Sequence, residues 1–209
     1  MSARQSLAPL AGLAGLAVAA LVLAGCAAST SFVSQWGDEG WKGGKVQKVL
    51  VVGVVKDASL RRQFEDDFVR QASAAGVQAV PSYRFIAEDG PVSEAVLRKA
   101  VADSGADGVL VSAVQRVDQR VSVSPGYYAG PPIGFGYYGF YRWGYWAAYM
   151  PPTAYVYNVV YVETQFHAAK SETLLWAGTT QTIDPRNPGK DIPVFSKLIL
   201  DALRARQLL

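Results

Sequence analysis

The sequence predicts an α/β (α+β) domain built on a single mixed β-sheet. Short, valine-rich apolar runs alternate with helical stripes in the first half of the chain, which is typical of strands joined by helices. Two further strand patterns follow each other with only turn residues between them, so they are expected to pair antiparallel. A last helical stripe closes the chain. The predicted order is β-α-β-α-β, a long aromatic insertion, and then β-β-α, all within residues 46–209.

The first strand and helix have the clearest pattern. Residues 48–55 place apolar side chains on both alternations, so this strand needs cover on both faces and is expected at the centre of the sheet. Asp57 offers an N-cap for the next helix, and Gly76 is expected just beyond its C-terminus. The helix is predicted because an apolar residue recurs every four positions, at Leu60, Phe64, Phe68 and Ala72.

The second strand is predicted over 77–80 and ends at Pro81. Because proline cannot donate a ladder hydrogen bond, this strand is expected at an edge, beside the first. A second helix is predicted over 91–104, with Gly105 closing it. Since helices link the first three strands, these strands should be parallel with right-handed crossovers.

The third strand is long, over 107–124, and its alternation predicts one apolar and one polar face. The fourth and fifth strands are predicted over 155–168 and 174–183, and Asp191 is expected to cap the last helix. The apolar face of the third strand is expected to contain Val109, Val111, Ala113, Val117, Val121 and Val123.

Residues 125–152 differ in composition from the rest of the chain. They contain seven Tyr, two Trp and two Phe among six Gly and five Pro, and Arg142 is their one charged residue. Three interpretations stay open: a low-complexity loop, a loop that contacts a membrane surface, and a recognition surface for a glycan or an extended peptide. The candidate contact residues are Tyr127, Tyr128, Tyr137, Tyr138, Tyr141, Trp143, Tyr145 and Trp146.

The first 25 residues are typical of a secretory signal. Arg4 supplies a positive charge, and an apolar run over 7–23 ends in small residues before Cys26. Residues 23–26 resemble the lipobox cut by the lipoprotein signal peptidase: Leu23, Ala24, Gly25 and Cys26. This resemblance implies a diacylglyceryl thioether on Cys26 and acylation of its new amino terminus. The alternative is a membrane-spanning anchor, which the 17-residue run is barely long enough to form.

The composition agrees with an anchored, exported protein. Cys26 is the only cysteine of the chain, which is unusual for an exported protein unless that residue is modified. Residues 26–45 are predicted to be a tether, with Trp36 and Trp41 packing on the domain edge. Ala27 follows the cysteine where inner-membrane lipoproteins of enteric bacteria have Asp, and this resemblance favours the outer membrane. The 20 basic and 17 acidic side chains nearly balance, so no nucleic-acid partner is expected.

Residues of the kind that perform catalysis or bind metals are scattered. His167 is the only histidine, and Glu65, Asp66 and Asp67 are interpreted as a solvated helix face. A metal site needs three or four converging ligands, and the pattern contains no such cluster. We therefore expect a protein that is not an enzyme and has no cofactor apart from the acyl chains on its cysteine. The alternative is an envelope hydrolase with a site around His167 or Asp118.

Several segments resemble an uncharacterised family of proteobacterial lipoproteins. The resemblance covers most of 34–124 and, weakly, 155–209, and it implies no established activity. More distantly, the element order is similar to that of penicillin-binding-protein activators, the curli secretion lipoprotein and the amino-terminal domain of the Tol propeller protein, which implies binding or assembly. The matching segments are SQWGD from Ser34, Gly43-Gly44, KVLVVGVVKDASLRRQFEDDFVRQ from Lys48, GVQAVPSYRF from Gly76 and SGADGVLVSAV from Ser104.

The sequence therefore predicts a lipid-anchored outer-membrane lipoprotein that faces the periplasm. Its expected role is that of a binding or scaffolding module for an envelope protein, with the aromatic insertion as the contact surface. The alternative is a protein that binds peptidoglycan or another glycan through the same aromatic residues.

Overall fold

The structure is a computed structural model that describes residues 29–87, 90–128 and 149–209. Within these residues, one mixed sheet of six strands carries three helices, and two further short strands form a separate two-stranded sheet. The strands are β1 Ser29–Gly37, β2 Lys48–Val54, β3 Gln78–Pro81, β4 Gly108–Ser124, β5 Tyr127–Tyr128, β6 Tyr149–Met150, β7 Thr153–Ala168 and β8 Leu174–Ile183. The helices are α1 Ala58–Ala74, α2 Glu94–Ser104 and α3 Pro188–Ala205, with a short 3-10 turn at Ser82–Arg84.

The sheet has the strand order β1-β8-β7-β4-β2-β3. β2 pairs in parallel with both β3 and β4, whereas the pairs β4–β7, β7–β8 and β8–β1 are antiparallel. The predicted α/β (α+β) class is confirmed, and so are the parallel first half and the antiparallel second half. β3, which ends in Pro81, lies beside β2 at one end of the strand order, as predicted from its proline.

Helices cover both faces of the sheet. α1 and α3 pack on one face, the α1/α3 face, and α2 packs on the opposite one, the α2 face. β2 is therefore buried on both sides, which explains its two-sided apolar pattern. The larger core, on the α1/α3 face, includes Val49, Val51, Phe68, Leu110, Phe166, Trp176 and Ile199. The smaller core, on the α2 face, contains Leu50, Val52 and Val109.

Local signals explain most of the helix ends. Asp57 caps α1 as predicted, because its carboxylate accepts hydrogen bonds from the first backbone N–H groups of the helix. Gly76 and Gly105 follow α1 and α2 with φ angles of 79° and 62°, a region that favours glycine. The prediction for the last helix is wrong, since α3 begins at Pro188, before Asp191. The fixed φ of proline suits the first helical position, so the turn cluster itself starts the helix.

The predicted tether over 26–45 is wrong in its middle part, because Ser29–Gly37 forms β1. This strand pairs with β8, and the ring of Phe32 packs edge-on against Trp176 with centroids 5.9 Å apart. A break in register after Phe32 disrupts the alternation of β1, which is why its sequence gives little strand signal. The sheet domain therefore begins well before residue 46.

The predicted faces of the third strand are wrong in its second half. In the pairing of β4 with β7, one extra residue, Gln115, lies between Val114 and Arg116. Such a bulge exchanges the two faces for every residue beyond it, because side chains alternate with a period of two. The exchange moves three valines to the α1/α3 face: Val117, Val121 and Val123.

Candidate functional site

The two longest strands project beyond the sheet as a two-stranded ribbon, which we call the arm. It consists of residues 119–124 of β4 paired with 153–158 of β7. Among the described residues no further strand pairs with this stretch, since the neighbouring β8 ends at Ile183, opposite Val159. Ser29 pairs with Ile183, so β1 begins at the same end of the sheet. We refer to this end as the arm end.

One side of the arm carries exposed valines. The register of β4 and β7 places this side in line with the α1/α3 face of the sheet. A stripe of exposed valines on a protein surface is typical of a region that another molecule covers. Three exposed valines lie on this side of the arm beyond the pair Gln119–Asn158, and two more lie on the same face nearer the sheet. We call the five the valine face: Val121 (61% exposed), Val123 (64%) and Val156 (51%) on the arm, and Val114 (43%) and Val117 (57%) at its base.

The other side of the arm and its base carry arginine and tyrosine. The guanidinium carbon of Arg116 lies 3.9 Å from the centroid of the Tyr161 ring, within cation–π range. Arg120 donates a hydrogen bond of 3.1 Å to the hydroxyl of Tyr161. Arg116 also donates a hydrogen bond of 3.2 Å to Asp118. This hydrogen bond raises the pKa of Arg116, and the hydrogen bond of Arg116 itself with Tyr161 raises it further. Two permanent positive charges are thus arranged around one tyrosine.

Two more tyrosines continue this side along β7. The rings of Tyr155 and Tyr157 stack at 13° with centroids 6.0 Å apart. The hydroxyl of Tyr155 donates to the carboxylate of Asp184 and accepts from Arg186, so the arm is attached to the turn after β8. We call the set the aromatic–arginine face: Arg116, Arg120, Tyr155, Tyr157 and Tyr161.

The valine face continues into an apolar groove of about 330 Å³ at the arm end of the sheet. The groove lies between the N-terminal ends of α1 and α3 and the strands beneath them. At its margin, Thr182 is hydrogen-bonded to Thr30 of β1, with the two hydroxyl oxygens 3.0 Å apart. The lining is mainly apolar and includes Leu60, Phe64, Val114, Val160, Val162, Ile192 and Phe195. Val114 belongs to both the groove and the valine face, and the polar pair Gln119–Asn158 separates the groove from the valines farther out on the arm.

The interpretation of Glu65, Asp66 and Asp67 as a solvated face is wrong for two of the three. Glu65 is 0% exposed and Asp67 is 5% exposed, because α3 and the turn after β3 cover this side of α1. The spacing that places Glu65 four residues after Arg61 and three before Phe68 puts all three on one helix face. That spacing could have indicated the burial, but charged residues are rarely buried unless they are paired.

Glu65 is the centre of a buried hydrogen-bond network beside the floor of the groove. Its carboxylate accepts hydrogen bonds from Gly53 N at 2.9 Å, Arg61 Nε at 3.0 Å, Ser82 Oγ at 2.8 Å and Tyr83 N at 3.1 Å. Ser82 is itself 0% exposed and also accepts from Arg61 at 2.9 Å. The network joins β2, α1 and the 3-10 turn, and its full set of hydrogen bonds stabilises the packing of these elements.

The hydrolase alternative involves His167 or Asp118. These two residues lie far apart. His167 pairs with Val109, and Asp118 pairs with Val159, eight positions away along β7. At about 3.3 Å per residue their backbones are roughly 26 Å apart. The ring nitrogens of His167 lie 3.1 Å from the Glu172 carbonyl oxygen and 3.0 Å from Gln165 Oε1. The two residues therefore do not form one site.

The described residues contain neither a metal-binding cluster nor a membrane-spanning helix. In this part of the chain no group of three His, Cys, Asp or Glu side chains is placed to hold a metal ion. None of the described helices has the length and apolar character needed to cross a membrane.

Most of the predicted site residues lie outside the described residues. Tyr127 and Tyr128 form β5, whose backbone pairs with Met150 and Tyr149 of β6. The insertion as a contact surface and the lipidation of Cys26 therefore stay predictions. The residues outside are Leu23, Ala24, Gly25 and Cys26 of the lipobox and Tyr137, Tyr138, Tyr141, Trp143, Tyr145 and Trp146 of the insertion.

Comparison with known proteins gives structural neighbours and no family. No family model and no curated protein matches this chain. Among solved structures, it is similar to the PelC dodecamer from Paraburkholderia phytofirmans, with 14% identity, a TM-score of 0.43 and coverage of 87% of this chain and 99% of that one. It is also similar to lipoprotein GNA1162 from Neisseria meningitidis, with 12% identity, a TM-score of 0.39 and coverage of 76% and 96%.

Proposed function

We propose that this chain is a lipid-anchored lipoprotein of the bacterial cell envelope that binds an envelope protein through its aromatic–arginine face. The observation that carries the binding role is a pair of exposed arginines held in place by a buried tyrosine. Arg116 lies 3.9 Å from the ring of Tyr161, which is 5% exposed, and Arg120 donates to its hydroxyl at 3.1 Å. Arginine and tyrosine are enriched at the centres of protein interfaces, where they supply most of the binding energy.

The anchor in this proposal is Cys26. The charged start, the apolar run and the lipobox-like residues before it support cleavage and acylation at this position. Each buried methylene of an acyl chain contributes about 0.8 kcal/mol, so two or three chains together give durable attachment. Ala27 supports the outer membrane, with the domain on the periplasmic side.

The aromatic–arginine face is suited to binding because it is already ordered. Tyr155 is attached to Asp184 and Arg186, and its ring stacks on Tyr157. Side chains that are held in place before binding lose less conformational entropy when a partner covers them. Tyrosine also offers a large contact area with few rotatable bonds.

The proposal assigns no catalytic activity to the chain. Ser82, which donates a hydrogen bond to the Glu65 carboxylate at 2.8 Å, is 0% exposed and so is out of reach of a substrate. His167 on β7 and Asp118 on β4 are separated by eight positions along the strands. These observations support a binding role over an envelope hydrolase.

The test compares two charge reversals in the full acylated protein. Arg120→Glu changes an exposed residue of the aromatic–arginine face, and Lys197→Glu makes the same change on the outer side of α3, where Lys197 is 68% exposed. Chemical crosslinking in cells, followed by mass spectrometry of the purified protein, measures the associated envelope proteins. We expect Arg120→Glu to lose a partner that the wild type and Lys197→Glu retain. Equal recovery of every partner with both variants would contradict the proposed surface.

A second candidate function is glycan binding, which the stacked rings of Tyr155 and Tyr157 favour. The C–H faces of sugars pack on exposed aromatic rings, and Tyr155 is 46% exposed. Sedimentation with purified peptidoglycan sacculi separates this candidate from the first. Co-sedimentation of the wild type that is lost in Tyr155→Leu would support it, and a wild type that stays in the supernatant would exclude peptidoglycan as the ligand.

A further inference from the structure

The chain begins its first strand at the end of the sheet from which the arm projects. Ser29 pairs with Ile183, and Ile183 pairs with Val159, so these three residues lie at one level of the sheet. Val159 also pairs with Asp118, and beyond this level β4 and β7 continue for the residue pairs of the arm. At about 3.3 Å per residue, the six pairs extend the arm roughly 20 Å past Ser29.

The proposed anchor lies very close to this level. Cys26 is three residues before Ser29, and three residues span at most about 11 Å. The arm therefore extends farther past the level of Ser29 than three residues of chain can span. With Ser29 held this close to the bilayer, an arm that pointed straight at the membrane would have its outer half inside it.

The arm cannot cross the hydrocarbon region in that way. A two-stranded ribbon has unpaired backbone N–H and C=O groups along both edges, and these groups are costly in a medium without water. At the level of the lipid headgroups, water and polar lipid groups can pair with them. Among the described residues no strand covers the edges of the arm, so an orientation along the membrane surface, with one of its two sides towards the lipid, avoids this cost.

The two sides differ in what they present. The outer part of one side carries Val121, Val123 and Val156, exposed by 61%, 64% and 51%, and its polar pair Gln119–Asn158 lies next to the sheet. The other side carries Arg120 and Ser122. Apolar side chains gain by leaving water for the boundary between headgroups and acyl chains, and charged ones do not. We propose that the valine face of the arm lies flat on the membrane to which the protein is anchored, with the aromatic–arginine face towards water. This inference rests on the proposed lipid anchor.

Two neighbouring residues on opposite sides of the arm provide the test. Acylation consumes the thiol of Cys26, the only native cysteine, so an introduced cysteine is the single free thiol of the acylated chain. Val121→Cys and Ser122→Cys are each labelled with a nitroxide, and Val123→Cys and Ser124→Cys form a second pair. The full acylated proteins are placed in phosphatidylcholine vesicles after far-UV circular dichroism has shown native secondary structure. Electron paramagnetic resonance then measures collisions with oxygen, which concentrates in the bilayer, and with a water-soluble nickel chelate.

We expect the labels at 121 and 123 to collide severalfold less with nickel and more with oxygen than the labels at 122 and 124. Equal nickel accessibility on both sides would overturn the inference. So would labels at 121 and 123 that are shielded from both reagents, because that result indicates cover by protein. A chain without acyl mass that fails to float with vesicles overturns the proposed anchor and this inference together. A chain that floats, but whose labels are equivalent, overturns this inference alone.

Discussion

Ser29 is the register partner of Ile183, at the end of the sheet where β8 stops and the arm continues. This pairing joins three features that are distant in sequence: the start of β1, the apolar groove and the arm. The hydrogen bond between Thr30 and Thr182 holds the start of β1 at the margin of the groove, with oxygens 3.0 Å apart. An anchor just before β1 would place all three features at the membrane surface.

Two ion pairs of the same spacing are expected to differ in their effect on stability. Arg61–Glu65 and Arg98–Glu94 each join residues four apart on a helix, but the first pair has side chains 7% and 0% exposed and the second 61% and 76%. Glu65→Gln removes one charge of a buried pair and should lower the free energy of unfolding by about 3–5 kcal/mol. Glu94→Gln should lower it by no more than about 1 kcal/mol. Urea denaturation of both variants measures the difference, and similar losses would contradict the burial of the Arg61–Glu65 pair.

Two glycine-to-alanine substitutions are expected to act in opposite directions. A Cβ at Gly178 would lie 2.5 Å from the ring of Trp176, which is 0% exposed and cannot easily move. Gly178→Ala should therefore destabilise the protein by about 1–3 kcal/mol through overpacking. At Gly189, in the first turn of α3, a Cβ would meet only the Asn187 side chain at 3.2 Å, so alanine should stabilise by about 0.5–1 kcal/mol. Thermal unfolding measures both, and a Gly178→Ala melting temperature at or above that of the wild type would contradict the packing.

The contribution of Tyr83 to stability is expected to fall at high pH. Its hydroxyl donates a hydrogen bond of 2.6 Å to Asp66, which raises the pKa of Tyr83 above 10.0. A group whose pKa is raised by folding stabilises the protein below its unfolded pKa, here about 10, and this stabilisation is lost as the pH rises through the folded pKa. The melting temperature of the wild type should exceed that of Tyr83→Phe below about pH 9, and the gap should narrow above about pH 10. A gap that does not change with pH would show that the hydrogen bond is absent in solution.

The regular elements could be predicted because each has a strong local cause. The two-sided apolar run of β2 indicates a central strand, Asp57 caps α1, and Pro81 indicates an edge. The connection of strands through helices or through short turns then determines which pairs are parallel. These causes act within a few residues, so one sequence contains them.

The surface assigned to binding could not be predicted, because it depends on a single irregular position. The bulge at Gln115 decides which face of β4 Arg116, Val117 and the residues of the arm beyond them occupy. An extra unpaired residue has no distinct sequence signal. Arg116 and Tyr161 are 45 positions apart in the sequence and lie on different strands, so their contact is also visible only in the fold. The burial of Glu65 was missed for the related reason that its partners Gly53 and Ser82 come from other elements.

Intact mass and membrane fractionation together determine whether Cys26 carries the lipid anchor. The native protein is compared with a Cys26→Ser variant expressed in the same cells. We expect the wild type to begin at Cys26, to carry the mass of its acyl chains and to fractionate with the outer membrane. The variant should carry no acyl mass and should be absent from the membrane fraction. A wild type that is unmodified, or that fractionates as the variant does, would contradict the lipid anchor.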